Sequence, residues 1–175
     1  GRFVTIATRR VILVPYNESL LSDFVVLNCC VKNRAQMNGP YTVAKARLVF
    51  DRILSDHTLY ARAVLDSRTR EYIGHIFISD LQSVPELGYL FDKAYWGKGI
   101  ASEALGAFFN KVLRDLSLKT VKATSNVDHA ASIRLLEKLG FVKKGLNSDS
   151  HGPFFEYEFT SDAVVDESAL LETLS

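Results

Sequence analysis

Apolar positions along the chain alternate between two spacings, and each change of spacing marks a new element. "RRVILVPYN" (9–17) is rich in β-branched residues and stops at Pro15, the pattern of a strand. From Glu18 to about Lys32 the spacing turns helical, with Asn17 placed to cap the first turn. The loop "NGPY" (38–41) interrupts it, and "TVAKARLVFDRIL" (42–54) resumes three- and four-residue intervals. "TLYARAVLD" (58–66) and "EYIGHIFISDL" (71–81) then read as strands of a hairpin joined by "SRTR", and "PELGYLF" (85–91) adds a third strand to that meander. A longer helix follows, in which Ile100, Ala101, Ala104, Leu105, Phe108, Phe109, Val112, Leu113 and Leu116 form one buried face. Strand "KTVKATSN" (119–126), helix "HAASIRLLEKL" (129–139) and strands "GFVKKGL" (140–146) and "FFEYEF" (154–159) complete the order. These elements predict a mixed sheet of about seven strands with helices packed on it, an α/β (α+β) sandwich in three layers.

Composition narrows the picture. With 175 residues, 47% of them hydrophobic, the chain suits one domain, expected over residues 1–160 and followed by an acidic tail at 161–175. No apolar run is long enough to span a membrane and no leader-like segment opens the sequence, so a cytoplasmic location without membrane contact is expected. Cys29 and Cys30 are adjacent, where a bond between them would be strained; they are expected as reduced core thiols, and no metal-ligand spacing occurs. A net charge of +1 argues against a dedicated nucleic-acid binder. Before position 145, however, 21 basic residues face 13 acidic ones, and this basic body would steer a polyanionic ligand.

The candidate chemistry begins at "WGKGI". Gly97 and Gly99 flank Lys98 immediately before a helix, an arrangement that leaves N–H groups free for an anion. A dinucleotide fingerprint would need glycine where Ser102 stands, and a P-loop would need glycine at Asp92 and a hydroxyl residue at Gly99. Both fail on spacing. The meander, "ELGYLFDKAYWGKGIASEAL", the strand "VKATSN" and "HAASIRLLEKLGF" together resemble the GNAT acyl-CoA N-acyltransferases over residues 8–160. Within that superfamily the chain looks most like the branch of ribosomal-protein serine and alanine N-terminal acetyltransferases.

The resemblance implies acetyl-CoA as co-substrate and no metal. Trp96, Gly97, Lys98, Gly99, Ile100 and Ala101 occupy the six positions of the superfamily's pyrophosphate turn, Trp96 standing where glutamine or arginine is usual. Lys98 reads equally as a solvated lysine, and Trp96 as a side chain packed on the sheet. The resemblance further implies that a bulge splays two strands, with pantetheine in the gap along the backbone of Tyr89, Leu90 and Phe91. A backbone N–H near Leu90 or Phe91 would stabilise the oxyanion of the thioester carbonyl.

Glu86 is the first candidate for the base that accepts the amine's proton, with His75 and His151 as alternatives. Leu136 stands where many members carry a tyrosine acid, and Ser132, one turn earlier, is the candidate beside the CoA sulfur. Asn126 matches an asparagine that contacts pantetheine, whereas His129 replaces a second one. The acceptor is a primary amine, with the branch resemblance favouring the α-amine of a protein or peptide; polyamines, aminoglycosides and amino acids are the alternatives, as is a binding-only module. Either a monomer or a homodimer fits this reading.

Overall fold

A computed structural model describes residues 5–161. Four helices and eight strands follow one another as β1 (Ile6–Ala7), β2 (Val11–Val14), α1 (Leu21–Asn28), α2 (Val43–Ser55), β3 (Tyr60–Asp66), β4 (Tyr72–Ser79), β5 (Glu86–Phe91), α3 (Ile100–Asp115), β6 (Thr120–Asn126), α4 (Ala130–Leu139), β7 (Val142–Asp149) and β8 (Gly152–Thr160). The strands form one mixed sheet in the order β1-β2-β3-β4-β5-β6-β8-β7. Helices cover both faces. The sheet and the inner faces of α3 and α4 share the main core, which includes Ile76, Leu105, Phe108, Leu136 and Phe141. Phe24, Ala46 and Phe50 tie α1 to α2 in a second cluster, and α1 reaches the opposite sheet face where Phe24 meets His75 at 5.4 Å. The three layers expected from the sequence are therefore present, with the two-residue β1 making eight strands rather than seven.

The largest departure lies after α1. The helix expected to run to Lys32 ends at Asn28, because its last groups are claimed by the Asn28 side chain and by the loop that follows. Asn28 Nδ2 donates back to Phe24 O at 2.9 Å, and Asn28 O accepts from Tyr41 N at 2.9 Å. Arg34 then anchors the following loop, donating to Gly39 O, Asn28 Oδ1 and Met37 O, while its guanidinium lies 3.9 Å from the Tyr41 ring centre. As a result Cys29 and Cys30 are half-buried at the helix end and not core thiols as expected. Asn17 does cap, but it caps a short 3-10 turn at Glu18–Leu20. Of the expected acidic tail, all but Ser161 lies outside the described residues.

Candidate active site

Strands β5 and β6 are parallel neighbours that meet at a single pair, Glu86 with Lys122, reinforced by a 2.9 Å bond from Lys122 N to Pro85 O. Beyond that point they part, and a cleft of about 1070 Å³ opens between Leu87–Phe91 on one side and Thr124–Asn126 on the other. The gap forms without the expected bulge: β4 and β5 stay in unbroken register from Gly74↔Phe91 to Ser79↔Glu86. Opposed residues of an antiparallel pair share a face. Glu86, Gly88 and Leu90 therefore face the α1–α2 side with His75, while Tyr89 turns to the α3–α4 side, where its hydroxyl lies 2.7 Å from Ser132 Oγ.

At one end of the cleft stands the glycine turn. Gly97 and Gly99 have φ of 74° and 76°, left-handed values that side chains resist, and Gly99 is the N-cap of α3. A Cβ on Gly97 would meet nothing within 4 Å. Arg10, which the sequence reading missed, holds the turn from behind. Its Nη1 donates to Lys98 O at 2.9 Å and its Nε to Glu103 Oε1 at 2.8 Å, while Thr8 also bonds Glu103. Burial opposes ionisation of Glu103, yet the bonds from Thr8 and Arg10 keep its carboxyl below the usual range. No spacing rule links residues so far apart, although β2 must run beside α3 for the sandwich to close.

Not every expected residue lines the cleft. Gly97, Gly99, Ala101 and Trp96 do, and the Trp96 indole donates to Phe91 O at 2.8 Å, tying the turn to the end of β5. Lys98 is exposed away from the lining, and Ile100 is a core residue at 9% exposure. Tyr89, Leu90 and Phe91 form one wall, although the Trp96 bond already engages the Phe91 carbonyl. Ser132 lines the other side from α4 and His129 from the residue just before it, and burial lowers the His129 pKa. Asn126 is present too, but its amide donates to Gln36 O at 3.0 Å, so the loop after α1 is drawn across the gap.

Glu86 lines the cleft half-buried, and burial raises its pKa despite Lys122, with Asp80 adding to the rise. A carboxylate so placed is a stronger base than an ordinary glutamate. The alternatives fare worse. His75 is sealed among Tyr16, Phe24 and Phe77, and burial, aided by Arg34, lowers its pKa to about 3. His151 sits in the β7–β8 turn, outside the cleft lining. Leu136 is fully buried in the core. Phe77, unforeseen, lies across Gly88, where a Cβ would come within 2.2 Å of its ring.

A family model described as an acetyltransferase (GNAT) domain matches residues 10–142, a span that includes β5, the glycine turn and α4. The chain belongs to the GNAT acetyltransferases. Its domain is thus an acetyltransferase domain. Among curated proteins it is 31% identical over 118 residues to the uncharacterized N-acetyltransferase p20 of Bacillus licheniformis, covering 63% of this chain. That match spans 66% of p20, just under two thirds, and matches to Bacillus subtilis relatives span less than half of theirs. Two solved GNAT structures are similar in fold. Spermidine N-acetyltransferase from Vibrio cholerae, solved with CoA and spermine, gives a TM-score of 0.79 at 15% identity, covering 89% of this chain and 98% of that one. Ribosomal-protein-S5-alanine acetyltransferase from Vibrio fischeri gives 0.70 at 16% identity, covering 91% and 97%. At such identities the likeness is one of fold alone. Among the described residues no helix could cross a membrane and no group of three metal-ligating side chains occurs.

Proposed function

We propose that this protein transfers the acetyl group of acetyl-CoA by direct attack to the α-amine of a protein or peptide, in the manner of the ribosomal-protein N-terminal branch. The observation that carries this reading is the parting of β5 from β6 after one residue pair, with a glycine turn at one end of the gap. The residues present fit the co-substrate. Unpartnered backbone along β5 suits the amide-rich pantetheine arm, and the open turn at the N-terminus of α3 suits a pyrophosphate. Arg134 and Lys138, one turn apart on α4, line the same cleft and add positive charge.

On the other face, Glu86 accepts a proton from the acceptor's ammonium group, directly or through water, so that a neutral amine attacks. The backbone N–H of Phe91, which alternation along β5 turns away from β4 and into the gap, stabilises the oxyanion, whereas that of Leu90 faces β4. The loop over the acceptor side, residues 29–42, contains no Asp or Glu, and it lines the cleft with Lys32, Asn33, Gln36, Met37 and Asn38. The Asn33 amide is already held by Leu27 O, Asp92 and Lys93 N, so the loop offers the Gln36 and Asn38 side chains to a peptide backbone and no carboxylate to a polycation. Thiol release from acetyl-CoA across peptides with different first residues, polyamines and aminoglycosides tests this directly. Turnover with Ser- or Ala-starting peptides is expected. Turnover confined to polyamines or aminoglycosides would overturn the acceptor assignment, and CoA binding without turnover on any acceptor would point to a binding-only module.

A further inference from the structure

Tyr89 entered the sequence reading only through its backbone, yet its side chain makes a contact that backbone binding does not require. The phenol oxygen lies 2.7 Å from Ser132 Oγ and 3.5 Å from Ser132 O. The two residues reach each other from β5 and α4, and both line the cleft. Ser132 is only 5% exposed, and among the described residues Tyr89 is the one hydrogen-bond partner of its hydroxyl. The two hydroxyls thus share one hydrogen bond in which either oxygen can be the donor.

We propose that Tyr89 is a positioning residue for the departing sulfur: its phenol donates to Ser132 Oγ, which frees the Ser132 proton to point at the thioester sulfur. The inference rests on the acetyl-CoA reading of the cleft. A serine hydroxyl carries one proton and two lone pairs, so it can accept from Tyr89 and donate outward at once. Burial, partly offset by the bond to Ser132, pushes the Tyr89 pKa up to about 12, which keeps the phenol a donor throughout the neutral range. When the carbon–sulfur bond breaks, its electron pair goes to sulfur and the acetyl group stays on the acceptor nitrogen. Ser132 then stabilises a thiolate by hydrogen bonding; neither side chain gives up its proton, and the thiolate is protonated by water on release. With apolar Leu136 at the helix position where many members carry a tyrosine, the phenol here comes from the strand and acts through one intervening hydroxyl.

The first measurement needs no acceptor. Ultraviolet absorbance of the thiolate, followed against pH and referenced to the desulfo-CoA complex, gives the thiol pKa of bound CoA. It is expected to lie about one unit below that of free CoA, and to return towards the free value in both Ser132→Ala and Tyr89→Phe. Calorimetric CoA affinity should change little, and circular dichroism should report intact folds, since phenylalanine keeps the ring. In turnover, each single variant should lower kcat about tenfold with KM for acetyl-CoA nearly constant, and the double variant should fall no further. A Tyr89→Phe protein that binds CoA with the parent's thiol pKa overturns the positioning role alone, as do independent, additive losses. A parent that does not bind CoA overturns both this role and the acetyl-CoA reading.

Discussion

The two ends of the cleft are built from different material. At the glycine turn, φ values of 74° and 76° and the start of α3 shape the site, and Arg10 braces it from outside. At the acceptor end the wall is an irregular loop, and side chains hold it: Arg34 bonds three of its neighbours, Asn33 accepts from Lys93 N at 2.8 Å, and Gln36 is tied to Asn126. A backbone-built site follows from where glycines and helix starts fall. A side-chain-built site follows from tertiary contacts, and it can change its ligand without changing the fold.

The largest effect that separates the two ends is expected from Arg34→Met, which leaves Gly39 O, Met37 O and Asn28 Oδ1 without their buried donor. Urea denaturation should show a loss of about 3 kcal/mol, and acceptor kcat/KM should collapse while the folded fraction still binds CoA. Loss of both functions to the same degree would show that the ends are not independent. Glu86→Gln, at the closed start of the gap, should lower kcat about a hundredfold with CoA affinity intact. Because Glu86 must be ionised to act and burial raises its pKa, the parent should lose activity as pH falls through a value above that of an ordinary glutamate. The glutamine variant should lack that limb, and a pH–rate profile identical to the parent's would reject Glu86 as the base.

Gly99→Val places a branched side chain at φ 76°, with its Cβ 3.4 Å from Arg10 Nη2. Local strain of about 1–2 kcal/mol should leave the fold standing while calorimetry shows acetyl-CoA affinity down roughly thirtyfold. The smallest effect should come from Trp96→Phe, which removes the 2.8 Å bond to Phe91 O. A stability loss of about 1 kcal/mol in thermal unfolding, with affinity nearly unchanged, would mark Trp96 as a brace of the turn. A large affinity loss would instead make it a direct cofactor contact.

The same contrast explains how much the sequence reveals. Strands β3, β4 and β5 and helices α3 and α4 stand close to where periodicity puts them, since their apolar faces pack on a regular sheet. Helix α1 runs short of its expected end because Asn28, Arg34 and Tyr41 compete for its terminal groups, a tertiary effect with no local period. Glu86, Ser132 and the two glycines are legible through order and spacing. Arg10 is not, as nothing near it in sequence signals Glu103. Tyr89 is a partial case: strand alternation already puts it on the face of Leu87 and Phe91, but its meeting with Ser132 depends on how α4 crosses β5.

The most direct test of the central claim, that the gap between β5 and β6 with its glycine turn binds acetyl-CoA, is a calorimetric titration of CoA into the parent and into Gly99→Val, with circular dichroism of both. Saturable binding by the parent and a roughly thirtyfold weaker isotherm for a folded variant are the predicted result. Equal affinities in two folded proteins, or no binding by the parent, would contradict the account.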